Sequence, residues 1–171
     1  MNTKEPAIQN LENEEAIGKM KSIVVHNSIC MFTTLIDQFP LRTRPMETLD
    51  VCDQGNFWFL SAEDSSKNVE IRMDERVQLF FANSTASEYL SIYGKASIET
   101  KKEKIEELWK PLAKVWFPEG KNDRKITVLK VAPLEVFYWS SKSGKMISVL
   151  KVIASATGII ADFSVSGKLK L

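Results

Sequence analysis

Between Ile29 and Trp139 the chain is cut into short runs rich in β-branched and aromatic residues, each bounded by turn formers. Runs of that length and composition make strands. Ile29 to Ile36, flanked by Asn27-Ser28 and Asp37-Gln38-Phe39-Pro40, reads as the first strand, with Leu41 to Leu49 as its hairpin partner. Asp50 to Gly55 reads as a turn and Asn56 to Ser61 as a third strand, so that the three form a meander. Arg76 to Asn83 and Ser87 to Glu99 come next, the second with a bulge at Gly94. Lys125 to Val131 and Leu134 to Trp139 are interrupted by Pro133, and Ser164 to Leu171 is a short terminal strand. The expectation is a mainly β fold, a closed or half-closed antiparallel β-barrel with peripheral helices. Strands and long helices do not alternate, which argues against a Rossmann sheet.

Helical spacing is confined to a few segments. Ala16, Ile17, Met20, Ile23 and Val24 recur at helical intervals within Leu11 to His26, behind an acidic opening that suits the helix dipole. Ser65 to Met73 reads as a short helix capped by Ser65 or Ser66, with Val69 and Met73 on one face. Lys101 to Trp116 reads as an amphipathic helix carrying Ile105, Leu108, Trp109 and Leu112 on one side, and Lys145 to Thr157 as another. A chain of 171 residues without a repeat or linker is expected to be one domain, 11–171, behind a loose tail, 1–10.

A formal net charge of +1 gives no general attraction to nucleic acid or to an anionic membrane. No apolar run approaches the length of a membrane span, and the polar, acidic opening lacks the pattern of a signal peptide. Cys30 and Cys52 belong to no CxxC pair, and the single His26 completes no zinc set, so free thiols, no metal and a cytoplasmic location are expected.

Chemistry is concentrated in three places. In Arg42-Thr43-Arg44-Pro45-Met46, alternate residues of a strand share a face, so Arg42 and Arg44 point the same way. Two such cations repel unless an anion or a carboxylate lies between them. Pro45 cannot donate to a ladder, which marks an edge whose backbone is free to meet a ligand. Ser61 closes a strand and Ser65-Ser66-Lys67 opens a helix, where unpaired N–H groups, hydroxyls and a lysine suit a phosphate. Phe57, Trp58, Phe59, Trp109, Trp116 and Trp139 are core residues or walls for a planar ligand. Taken singly, each feature is served as well by a solvated strand face, an ordinary serine cap or core packing. The chain holds no GxSxG, P-loop or GxGxxG, and its carboxylate runs read as solvated helix faces.

Together the motifs resemble the pyridoxamine 5′-phosphate oxidase-like proteins. The resemblance is carried by Arg-x-Arg-Pro-Met at Arg42 to Met46, Gly-x-Phe-Trp-Phe-Leu-Ser at Gly55 to Ser61, and Ser66-Lys67 with Val77 and Gly94 downstream. Trp109-Lys110-Pro111, Trp116-Phe117-Pro118-Glu119-Gly120 and Tyr138-Trp139 are similar to the general stress protein 26 branch. That resemblance implies a six-stranded antiparallel split barrel of the FMN-binding type, working as a homodimer with flavin sites at the interface. It implies that Arg42, Thr43, Arg44, Pro45, Met46 and Glu47 line the flavin, that Leu60 and Ser61 meet the ring and ribityl phosphate region, and that Ser66 and Lys67 grip the phosphate. Tyr89 and Trp139 fall where the family reaches over the bound flavin.

Three departures separate the chain from the true oxidases, one of them Ser66, which stands where they carry a second phosphate-gripping cation. Glu47 stands where they carry a substrate-binding lysine, and Ser140 to Lys145 lacks their Arg-x-His. The implied function is therefore an FMN-dependent oxidoreductase, flavin reductase-like in accepting a nicotinamide or other small-molecule electron donor, without a pyridoxamine phosphate site. The alternatives are FAD in place of FMN, or a non-catalytic module that holds flavin, deazaflavin or haem. No catalytic residue is named.

Overall fold

The computed structural model describes residues 7–8, 10–141 and 164–170. Its elements are β1 (Ala7–Ile8), β2 (Leu11–Glu12), α1 (Asn13–His26), β3 (Ile29–Thr34), β4 (Arg42–Glu47), β5 (Asp50–Val51), β6 (Phe57–Ala62), α2 (Ser66–Met73), β7 (Arg76–Asn83), β8 (Glu88–Glu99), α3 (Lys102–Leu108), β9 (Ile126–Ser141) and β10 (Ser164–Lys170). Strands predominate, in line with the mainly β expectation. The helix expected over Lys145 to Thr157 lies outside the described residues.

One sheet of ten strands runs in the order β1-β10-β9-β8-β7-β3-β4, with β6 on β9, β5 on β6 and β2 on β10. β9 is its spine. Phe57 to Ala62 pair with Val131 to Ile126, Tyr89 to Glu99 pair with Trp139 to Val128, and Ser164 to Leu169 pair with Ser141 to Val136. β6 and β10 therefore lie end to end along the same side of β9. The path β4-β3-β7-β8-β9-β6 contains six antiparallel neighbours, but β4 and β6 share no ladder, so the sheet curls without closing.

The meander expected from β3, β4 and β6 is not formed. β4 pairs with β3 only, and the chain then changes partner: Thr48 N donates to Ser28 O at 2.7 Å, whereas Leu49 N donates to Trp58 O at 2.9 Å. Part of the expected Asp50 to Gly55 turn becomes the short β5, paired Asp50 with Trp58 and Val51 with Phe57. Pro45 lacks an N–H, which is compatible with β4 as an edge and not with a strand bonded on both sides.

Pro133 does not split the ninth strand either. Tyr93 faces Glu135 and Gly94 faces Pro133, so the register slips there and Leu134 is the extra residue. The bulge falls on β9, opposite the glycine, and absorbs the missing N–H of Pro133. Lys101 to Trp116 is not one helix. α3 ends at Leu108, and Lys110, extended ahead of Pro111, leads into a separate 3₁₀ turn, Pro111–Val115. A proline disfavours helical backbone in the residue before it, which accounts for the break. Leu112 is consequently exposed, while Ile105 and Leu108 are buried.

Inward-facing residues of alternate strand positions fill the core, with Phe32, Phe57, Phe59, Leu79, Ile92, Leu129 and Val131 fully buried and α1 covering one end through Ala16, Met20 and Ile23. A second cluster under α3 joins Trp58, Ile105, Leu108, Phe117, Ile126 and Val128. Both thiols are free, and burial pushes Cys30 up to about 12.

Candidate functional site

The unpaired gap between β4 and β6 forms a cleft of about 500 Å³. Arg44, Pro45, Met46 and Glu47 line it from β4, Leu60, Ser61 and Ala62 from β6, and Lys67 from α2. The 3₁₀ turn and the two residues beyond it supply Leu112, Ala113, Trp116 and Phe117. The walls are mostly apolar and a few polar groups converge at one end, the usual make-up of a small-molecule site.

That end is built by α2. Ser65 is its N-cap, accepting from Asn68 N at 3.4 Å. The buried face of α2 is largely polar: Asn68 and Glu70 are buried beside Ile71, while Val69 and Met73, expected to share one face, are exposed. Asn68 takes part in a closed ring of hydrogen bonds. Ser61 Oγ donates to Asn68 Oδ1 at 2.6 Å, Asn68 Nδ2 donates to Thr127 Oγ1 at 2.9 Å, and Thr127 Oγ1 donates to Ser61 O at 3.1 Å. The ring fixes α2 against β6 and β9 and commits the Ser61 hydroxyl proton to Asn68. All members are buried and paired, the condition under which such networks rigidify a site.

The carboxylate required between Arg42 and Arg44 is Glu70. Arg42 Nη1 donates to Glu70 Oε1 at 3.0 Å and Arg44 Nη2 to Glu70 Oε2 at 2.7 Å. Thr34 Oγ1 donates to Glu70 Oε2 at 2.5 Å and accepts from Arg44 Nη1 at 2.6 Å. Burial alone would raise the Glu70 carboxyl, but the hydrogen bonds from Thr34, Arg42 and Arg44 and the charge of Arg44 outweigh it and hold the group below its ordinary range. Lys67, one turn earlier on the helix, is different. Burial and the neighbouring Arg44 push its ammonium below the usual lysine range, partly offset by Glu70. Among the described residues it has no hydrogen-bond or ion-pair partner.

Three cations, Arg42, Arg44 and Lys67, thus meet one carboxylate, which leaves two positive charges in excess at this end. Three residues further along β4, about 10 Å at strand rise, Lys110 Nζ donates to Glu47 Oε1 at 3.3 Å. Glu47 is therefore no free negative charge, and the cleft mouth there is close to neutral.

Of the residues singled out in the sequence, Arg44, Pro45, Met46, Glu47, Leu60, Ser61 and Lys67 come together in the cleft. Arg42 reaches its edge through Glu70, and Ser66 is the exposed first residue of α2. Thr43 turns to the outer face and contacts Thr33 Oγ1 at 2.9 Å. Tyr89 and Trp139 do not line the cleft. They are cross-strand partners of β8 and β9 on the outer face of the sheet, 40% and 46% exposed. From β4 to β8 is three strand spacings, about 14 Å. Sequence reasoning does not find Glu70, Asn68 and Lys110 as ligands or supports. For Glu70 a signal is present in the two same-face arginines, which demand an anion. His26, Nδ1 2.6 Å from Ser22 O, stays at the end of α1. Among the described residues no group of His, Cys, Asp and Glu could hold a metal ion.

The family model described as pyridoxamine 5′-phosphate oxidase like matches residues 15–160. Protein bli-3 of Neurospora crassa is 27% identical over 165 residues, 88% of this chain and 78% of that protein. Among solved structures, a general stress protein 26 from Jannaschia sp. CCS1 superposes with a TM-score of 0.68 at 17% identity, over 92% of this chain and 96% of that one. The general stress FMN/FAD binding protein of Xanthomonas citri gives 0.64 at 22% identity, over 74% and 89%. At these identities the structural likeness is one of fold.

Proposed function

Because the chain belongs to the pyridoxamine 5′-phosphate oxidase-like family, we propose that it holds FMN in the β4–β6 cleft of a six-stranded split barrel and acts as a flavin-dependent oxidoreductase. The observation that carries this is Lys67: a half-buried ammonium with no hydrogen-bond or ion-pair partner among the described residues, beside Arg44, at the cationic end of an apolar-walled cleft. An unpaired, desolvated cation is costly unless a ligand supplies its counter-charge. A phosphate monoester carries about −1.5 to −2 at neutral pH, which answers the two excess charges.

Lys67, the outer donors of Arg44 and the first N–H groups of α2 with Ser66 would hold the phosphate. The free edge of β4, together with Met46 and Leu60, would flank the ring. Leu112, Ala113 and Phe117 would exclude water from it. A bound flavin supplies the redox chemistry itself. Among the described residues the cleft has no histidine or tyrosine, so this chain contributes binding and electrostatics rather than a proton donor. That lack favours, as a second reading, a non-catalytic flavin-binding module. The test is an absorbance spectrum of the purified protein, identification of the extracted ligand, and turnover with a nicotinamide. A colourless protein that takes up no FMN sinks both readings. A yellow protein that no nicotinamide reduces leaves the second.

Tyr89 and Trp139 support a two-fold dimer. They do not line their own cleft, and a largely apolar row crosses the same face: Met31 faces Phe80, Phe80 faces Ser91, and Ser91 faces Phe137. Met31, Phe80 and Phe137 are 45%, 46% and 40% exposed. Self-association on this face would bring a partner's Tyr89 and Trp139 to the site. The expected result is a dimer by light scattering at micromolar concentration, converted to monomer by Phe80→Glu with loss of bound flavin. A wild-type monomer that still binds FMN would contradict it.

A further inference from the structure

We propose that Glu70 sets the charge selectivity of the phosphate end: its carboxylate is an internal anion that occupies Arg42 and Arg44 and trims the cationic surplus to that of a phosphate monoester. This rests on the flavin-phosphate reading above and adds a residue to it. Glu70 is only 3% exposed, lies one helical turn beyond Lys67, and accepts from three side chains at once. Its contacts tie α2 to β4 and to Thr34 of β3. An incoming phosphate therefore finds both guanidinium groups already partnered, and Lys67 without a hydrogen-bond or ion-pair partner among the described residues. The internal carboxylate also repels the phosphate, since fields act over several ångströms in a partly buried cleft. The site is tuned to hold its anionic ligand less tightly than three bare cations would, which makes the ligand exchangeable.

FMN and riboflavin share a ring and differ in the phosphate, so the pair reads this end of the cleft alone. Both are titrated by flavin fluorescence into flavin-free wild type, Glu70→Gln, Arg42→Gln and the Arg42→Gln/Glu70→Gln double variant, with thermal melts alongside. Glu70→Gln keeps the side-chain shape and removes the charge. It is expected to tighten FMN about tenfold, equivalent to about 1.4 kcal/mol, and to leave riboflavin within twofold. Arg42→Gln lowers the surplus by one charge and weakens FMN, and adding Glu70→Gln returns it to within threefold of wild type, as expected if FMN affinity follows the net charge at this end. The restoration is read between two variants that both lack the Arg42 pair, so it stands even where Glu70→Gln alone is poorly folded.

Unchanged or weaker FMN binding in Glu70→Gln, together with no restoration in the double variant, overturns the proposal. Equal shifts for FMN and riboflavin overturn it too, since Glu70 would then act through the fold. If wild type itself fails to prefer FMN over riboflavin, the phosphate reading has failed first. A wild-type preference that is unmoved by Glu70 removes the Glu70 proposal alone.

Discussion

Lys67→Ala is expected to weaken FMN binding by roughly 10- to 150-fold and to leave riboflavin within about twofold. A charge-assisted hydrogen bond contributes on the order of 1.5–3 kcal/mol, and about 1.4 kcal/mol is tenfold. Lys67 belongs in the upper half of that range, because its ammonium is half-buried and has no partner among the described residues of the flavin-free chain. Among the described residues no hydrogen bond or ion pair of Lys67 has to be broken when the phosphate arrives. Burial and Arg44 depress its proton affinity in the free protein, and a phosphate would raise it. FMN binding should then take up a proton at alkaline pH, and affinity should fall as the pH rises through the depressed value of the free protein. Calorimetry in buffers of different ionisation enthalpy measures the uptake. Equal losses of FMN and riboflavin in Lys67→Ala would assign Lys67 to the fold, and no loss would move the phosphate elsewhere.

Gly94→Ala is expected to cost about 3 kcal/mol of stability, at the upper end for overpacking. A methyl group at Gly94 would lie 2.5 Å from the carbonyl oxygen of Ala132 and 3.2 Å from Cα of Pro133, and both are backbone atoms that cannot rotate away. The strain falls where β8 meets the bulge of β9, so relief means parting the longest ladder of the sheet. A melting point lower by roughly 6–12 °C is expected, taking about 2–4 °C per kcal/mol for a chain of this size. Leu134→Ala, at the exposed extra residue of the same bulge, should change stability by less than about 0.5 kcal/mol. A tolerated alanine at Gly94 would mean that the register there is adjustable.

Most strands are legible in the sequence because they are bounded by turn residues, and β7 spans the residues its sequence suggests, whereas the 16-residue β9 reads as two because Pro133 interrupts it. Pairing partners are not, since periodicity says which residues share a face and not which strand lies alongside. That is why sequence order suggests β4 as the neighbour of β6, whose partners are β5 and β9. Pro111 holds enough information to end α3, but its effect is hidden by an apolar spacing that continues through Leu112. At the cleft, Arg42, Arg44 and Lys67 stand out by residue type. Glu70 and Asn68 do not, because a polar residue on a short charged helix reads as solvated until the helix is docked polar face inward.

The position of β9 has a consequence for how the chain comes into being. β6 and β8 are finished long before their common neighbour exists, and each waits with an open row of backbone donors and acceptors. At about 5–20 residues per second, roughly 4–15 s of synthesis separate Phe57 from its partner Val131. The ladders β3–β4, β3–β7 and β7–β8 can form as the chain emerges, but those that join β6, β8 and β10 through β9 cannot. The part of the sheet built on β9 is therefore completed late and by non-local pairing, the kind of contact that slows folding. Any ribosome stalled or message truncated between β8 and β9 would release a chain with two sticky edges and a half-covered aromatic core.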